Sequence, residues 1–175
     1  MMKKLMSKHL LLAFVAFSTL FGCKEEPKSE PVISTFYLIR HAEKDRTDPE
    51  NRDPELNQDG LNRAIKWAEV FDPIELDAIY STNYERTTMT AAPASIKKEI
   101  EIEFYDPGAV DIENFKEIHK GHNVLIVGHS NTTPVFVNSL LGEDKYPQMD
   151  DDDNSSLFIV RFIDDSTTDF RLKMD

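Results

Sequence analysis

Two textures alternate along the apolar and polar positions of this 175-residue chain. Short continuous apolar runs occur at Phe36 to Ile39, within "LDAIYST" and within "NVLIVGHS". Each has the texture of a strand buried on both faces. Between the runs lie stretches with helical spacing. In "GLNRAIKWAEVF", Leu61, Ala64, Ile65, Ala68 and Val70 with Phe71 recur on one face, and the segment closes before Pro73. "NYERTTMTAAPASI" predicts a second helix, and residues 110 to 120 a third, with Gly121 as a left-handed stop. "TTPVFVNSLLG" predicts a fourth, with Pro134 in the first turn, where its missing amide has no intrahelical partner to lose. "IEIEFY" alternates and predicts a strand with one wet face, while "SLFIVRFID" and "DFRLKM", separated by the turn-like "DSTT", predict two closing strands. Strands alternating with helices predict an α/β fold. The expected architecture is a three-layer sandwich: a mostly parallel central sheet flanked by helices, with antiparallel strands near the C-terminus.

The first residues break this pattern. Lys3, Lys4 and Lys8 precede an apolar run from Leu10 to Phe21 that is short for a bilayer span, so residues 1–22 read as an export signal. The single cysteine, Cys23, follows directly, and "LFGC" resembles the lipobox of bacterial lipoproteins. That resemblance implies cleavage before Cys23 and lipid on its sulfur. An exported chain with one cysteine has no internal disulfide to form, so lipidation gives the thiol a role. "KEEPKSEPVIS" has the composition of a solvated tether, read as residues 23–34, and residues 35–175 are the length of one domain with no internal repeat. The expected location is the bacterial cell envelope, with the membrane reached through the lipid alone.

The net charge is −12 and becomes more negative once the three lysines of the signal are removed. So acidic a surface repels the phosphates of nucleic acid and excludes it as a partner. Any anion must instead be held by a local cluster of cations. Three strand-to-helix junctions supply candidates: Arg40 with His41, Arg86 behind "ST", and His129 in "GHS". Ligands of open α/β sheets bind outside the carboxyl ends of the strands, so these groups can converge on one crevice. Arginine forks match phosphate oxygens bidentately, and the expected ligand is a phosphate.

The remaining polar residues read more plainly. His119 and His122 flank Gly121 at a helix end and are expected to be solvated, and no zinc-type spacing is present, so no metal is expected. "DDDDN", Asp150 to Asn154, lacks the alternating ligands and glycine of a calcium loop and reads as a solvated loop. Phe36, Tyr37, Trp67, Phe71, Phe136 and Phe158 fall on expected core faces, and no cofactor is needed to explain them.

Together these residues resemble the histidine phosphatase superfamily, also called phosphoglycerate-mutase-like. "RH" at Arg40 and His41, "STNYERTTMTA" from Ser81 to Ala91, and "VGHSN" from Val127 to Asn131 are similar to its three motifs. "LNQDG", Leu56 to Gly60, resembles the segment that opens its first helix, and Ala42 stands where the family motif has glycine. The resemblance implies a metal-independent phosphatase in which His41 becomes a phosphohistidine and Arg40, Arg86 and His129 hold the phosphoryl oxygens. It also implies a carboxyl group as proton donor. Asn131 removes the version with an acid beside the second histidine, so Glu113 is the expected acid, with Asp111, Asp106 and Glu117 as rivals and Glu43 close to the nucleophile. The implied substrate is a phosphorylated small molecule or phosphoprotein. A noncatalytic phosphate-binding lipoprotein and a mutase are the alternatives. The short interval from Arg86 to His129 leaves little room for the segment that encloses sugar phosphates in mutases, and it predicts an open site.

Overall fold

The computed structural model describes residues 30–174, so the expected export signal and the expected lipidation of Cys23 fall outside the described residues. Six strands, β1 Ile33–Arg40, β2 Ala78–Ser81, β3 Ile102–Phe104, β4 Asn123–Gly128, β5 Ser156–Ile163 and β6 Ser166–Lys173, form one sheet in the order β3-β2-β4-β1-β5-β6. The first four in this order run parallel to one another, while β5 and β6 are antiparallel at one side. The helices among the described residues are α1 Gln58–Val70, α2 Glu85–Lys98, α3 Ile112–Ile118 and α4 Thr132–Leu141. This is the expected fold class.

Successive strand residues point to opposite faces, and two apolar layers result. On one side Phe36, Leu38, Val124, Ile126 and Phe158 meet Phe115 of α3 and Phe136, Val137 and Leu140 of α4. On the other, Ile39, Ile79, Leu125 and Val127 meet Trp67 and Ala68 of α1, Phe71 just beyond it, and Ala91 and Ala94 of α2. Both faces are therefore covered, which is why the central strands are continuous apolar runs rather than alternating ones. The expected core aromatics sit in these layers; Tyr37 is only half-buried and packs on Phe71.

Element ends differ from expectation in three places. β1 begins at Ile33, inside the stretch read as tether, because Val32 and Asp164 exchange hydrogen bonds across the β5–β6 turn and Ser34 is buried. The third helix is shorter than residues 110–120: His119 caps it, and Gly121, at φ +83°, instead shapes the turn into β4 while its amide donates to Ser34 Oγ at 2.8 Å. Most of "DSTT" is strand, since Thr167 and Thr168 pair with Phe162 and Arg161; only Asp164 and Asp165 turn. β-branched residues fit a pleated ladder, and this outweighs their polarity.

Candidate active site

Strand register brings the three junctions together. Arg40 of β1 pairs with Gly128 of β4, and Ser81 of β2 pairs with Val127, so the strands leave the sheet at one level. The next residues continue the pattern, with His41 N–H donating to Gly128 O at 3.0 Å and Thr82 N–H to Val127 O at 3.3 Å. His41, Thr82 and His129 therefore emerge side by side. The rings of His41 and His129 lie 5.6 Å apart, centre to centre.

Each imidazole is held by a specific neighbour. His41 Nδ1 lies 2.7 Å from Ala42 O. A carbonyl only accepts, so Nδ1 carries the proton and Nε2 keeps its lone pair. Ala42 N–H donates to Thr90 Oγ1, whose hydroxyl donates to Arg86 O, so one threonine of α2 joins the histidine loop to the arginine's backbone. His129 Nε2 lies 2.9 Å from Thr82 Oγ1. Thr87 Oγ1 donates to the carbonyl of Thr82 or Tyr84 and accepts from Thr82 Oγ1, which leaves Thr82 to accept from His129 Nε2–H. The lone pair of neutral His129 is then on Nδ1.

Burial sets the charge state of both rings. Desolvation, assisted by the nearby Arg40 and Arg86 cations, pulls His41 down to about 3 and outweighs the opposing hydrogen bond to Ala42. The same cause, followed by Arg86, Arg40 and Lys44, pulls His129 down to about 4. Both are neutral near pH 7, and a neutral ring is the nucleophilic form.

The two arginines share an arrangement. Arg40 is 2% exposed, and its Nη1 and Nη2 donate to Asp150 O and Asp151 Oδ1, each at 2.9 Å. Arg86 lies 4.4 Å from the Tyr84 ring centre, and its Nη1 donates to Asp53 Oδ1 at 3.2 Å. In both, Nε is buried without a hydrogen-bond partner among the described residues. Buried donors are almost always satisfied, so two orphans at one cavity point to an acceptor supplied by a ligand. That cavity, about 500 Å³, is lined by both arginines, both histidines, Lys44 and the turn at Asp106 to Gly108. It adjoins a wider cleft of about 1030 Å³ through Lys44 and Asp151.

Comparison with known proteins matches residues 36–107 to one family. The match is to the histidine phosphatase superfamily, branch 1. It spans the first two motifs and ends ahead of His129. No curated protein sequence matches the chain. Among solved structures, the protein histidine phosphatase SixA complexed with tungstate has a TM-score of 0.64 at 15% identity, covering 79% of this chain and 96% of that one. A candidate phosphohistidine phosphatase SixA from Agrobacterium tumefaciens has a TM-score of 0.58 at 22% identity, covering 81% and 99%. A mycobacterial glucosyl-3-phosphoglycerate phosphatase has a TM-score of 0.61 at 14% identity, covering 74% and 90%. At these identities the structural likeness speaks for the fold.

Against the histidine phosphatase pattern, the expected acid is corrected. Glu113 is not in the site: it pairs with Lys116 at 2.8 Å, is 82% exposed, and lines a separate cavity beside Val32, Ser34 and Phe36 at the amino-terminal half of β1. The physical reason is direction, since α3 runs back along the sheet and carries its acids away from the strand ends. Glu117 lines the same distant cavity, and Asp111 caps α3 through Asn114 N–H. Glu43 is held by Arg63 of α1 at 2.8 Å. Of the acids expected from sequence, only Asp106, in the turn directly after β3, lines the cavity of the histidines.

Two other expectations change. His119 is buried, with its Nε2 3.1 Å from Tyr80 OH and its ring against Phe115 at 4.6 Å, because the short α3 folds its cap inward. The run at Asp150 to Asn154 is not simply solvated, since Asp153 and Asn154 are buried and Asp151 contacts Arg40. Lys44, Thr82 and Tyr84 also belong to the site and were not singled out from sequence. Thr82 could have been found, because it sits where the strand register ends beside His129. Gly60 has a packing cause as well: a Cβ there would stand 2.1 Å from Glu43 O, so glycine lets α1 meet the loop after His41.

Proposed function

We propose that this chain is a phosphatase of the histidine phosphatase superfamily that transfers a phosphoryl group to His41 Nε2 and then to water. The observation that carries the reading is the paired orphan Nε donors of Arg40 and Arg86 beside an imidazole whose tautomer frees Nε2. In the first step the P–N bond to His41 forms as the bond from phosphorus to the leaving atom, a phosphomonoester oxygen or a phosphohistidine nitrogen, breaks, and Asp106 protonates that atom. In the second, water attacks phosphorus, the P–N bond breaks, and the Asp106 carboxylate takes the proton of water. Arg40, Arg86 and His129 hold the non-bridging oxygens; contacts of this kind contribute ~10³- to 10⁵-fold in rate. A phosphoryl dianion between the arginines raises the proton affinity of His129, which then becomes a cationic donor.

The substrate is a phosphomonoester or a phosphohistidine with a sizeable leaving group, because the phosphate cavity opens into the wider polar cleft at Lys44 and Asp151. The SixA neighbours, one described as a candidate phosphohistidine phosphatase and one as a protein histidine phosphatase, support the second of these. Hydrolysis of para-nitrophenyl phosphate by wild type, with a loss of about 10⁴-fold or more in His41→Ala, is the expected result. Oxyanion binding without turnover would favour the phosphate-binding alternative.

In the cell this domain is held at the envelope by lipid on Cys23, as the "LFGC" sequence and the tether composition suggest. Labelled fatty acid should enter the wild-type protein and not Cys23→Ser; equal labelling of both would end that reading.

A further inference from the structure

The run Asp150 to Asn154 carries more than a turn. Contacts from this segment and from Met149 just before it reach the site and the sheet. Met149 N–H donates to Ser130 O at 2.9 Å, beside His129. Asp151 Oδ1 accepts from Arg40 Nη2 and its Oδ2 pairs with Arg46 at 2.8 Å. Asn154 Nδ2 donates to His41 O at 2.8 Å, with both residues buried. Asp153, 4% exposed, anchors the segment to Arg171 of β6 at 2.8 Å and to Ser156. One short stretch therefore grips the main chain of the proposed nucleophile, the side chain of its arginine and the loop of the second histidine.

The geometry points to Asp151 and Asn154 as positioning residues of the phosphoryl site, an inference that rests on the phosphatase reading above. Asp150 O and Asp151 occupy the terminal nitrogens of Arg40, so its Nε–H stays as an unpartnered buried donor for a phosphoryl oxygen. Asn154 fixes the carbonyl of His41 and with it the backbone from which the ring projects. A site works when its contacting groups are held by a supporting shell, and a misplacement of about 1 Å can cost ~10²-fold.

The sign of one effect separates positioning from mere proximity of charge. Asp151 is an anion beside an anion site, so by Coulomb's law alone its removal tightens oxyanion binding. If it positions Arg40, removal weakens binding despite the lost repulsion. Asp152 supplies the control, because it is an exposed acid of the same run that makes no side-chain contact with Arg40 or His41. Asp151 is itself 70% exposed, so its replacement should leave the fold intact.

The experiment measures tungstate affinity by calorimetry and para-nitrophenyl phosphate turnover for wild type, Asp151→Ala, Asp151→Glu, Asp152→Ala and Asn154→Ala, with thermal denaturation of each. Expected is about tenfold weaker tungstate binding in Asp151→Ala, partial recovery in Asp151→Glu, and unchanged or slightly tighter binding in Asp152→Ala. For Asn154→Ala the expected loss is in kcat, about tenfold or more, with a smaller change in KM. Equal or tighter binding in Asp151→Ala overturns the inference and leaves the phosphatase reading standing. Wild type that binds tungstate and turns over nothing defeats the phosphatase reading, while the tungstate affinities still decide the role of Asp151. Wild type that does not bind tungstate defeats both.

Discussion

Two cavities in this molecule hold comparable sets of charged side chains, and only one has the makings of a catalytic site. At the carboxyl ends of β1, β2 and β4, Arg40, Arg86, His41 and His129 are largely withdrawn from solvent, and two arginine donors lack partners among the described residues. Against α3, Glu113, Lys116, Glu117, Lys120, Asp164 and Asp165 surround a cavity of about 370 Å³. There Glu113 pairs with Lys116, and its carboxyl is open to water. A solvated, self-paired charge contributes little and exerts little on a ligand. A desolvated charge with unused donors is costly until an anion arrives, and that difference marks the first cavity.

The contrast can be broken most forcefully at Arg86. Arg86→Ala should lower kcat/KM about 10²- to 10³-fold, as loss of one preorganised transition-state donor does, whereas Lys116→Ala in the other cavity should change it less than about twofold. Asp106→Asn sharpens it next. The loss should be about 10²-fold with an alkyl phosphate and far smaller with para-nitrophenyl phosphate, whose leaving group needs little protonation. The parallel change Glu113→Gln should leave both rates and the pH profile as in wild type; a matching loss there would return Glu113 to the mechanism.

The buried imidazoles give a weaker but independent effect. Their folded values, about 3 for His41 and about 4 for His129, lie below the ordinary imidazole value near 6.5. Between those limits the unfolded chain binds more protons than the folded one. The contribution of these two rings to stability is therefore full above about pH 6.5 and is lost as pH falls toward 3. Denaturant melts of wild type and of a His129→Gln variant at pH 7 and pH 4.5 should show a smaller acid-induced loss in the variant. Equal losses would contradict the burial argument.

Much of the first cavity was legible because strand texture and chemistry coincide at Arg40, His41 and His129. An apolar run that stops at a charged or imidazole residue gives both the strand and its end. Arg86 needed the motif as well, since helical periodicity does not show which way its side chain points. Glu113 was misplaced for a physical reason: spacing along the chain does not reveal that α3 turns back along the sheet within two residues of the Asp106 turn. His119 failed similarly, as a helix-end histidine is solvated unless tertiary packing folds it inward, here onto Phe115 and Tyr80. The acidic run was the deepest omission. Its contacts with Arg40 and His41 bridge more than a hundred residues, and no local pattern encodes such a contact.

The central claim is that His41 Nε2 accepts the phosphoryl group. Rapid acid-free quenching of the protein with a radiolabelled phosphorylated substrate, followed by peptide mapping, tests it directly. The account predicts an acid-labile, alkali-stable phosphoryl label on His41 that is absent from His41→Ala. Turnover with no label on His41, or with the label on another residue, would contradict it.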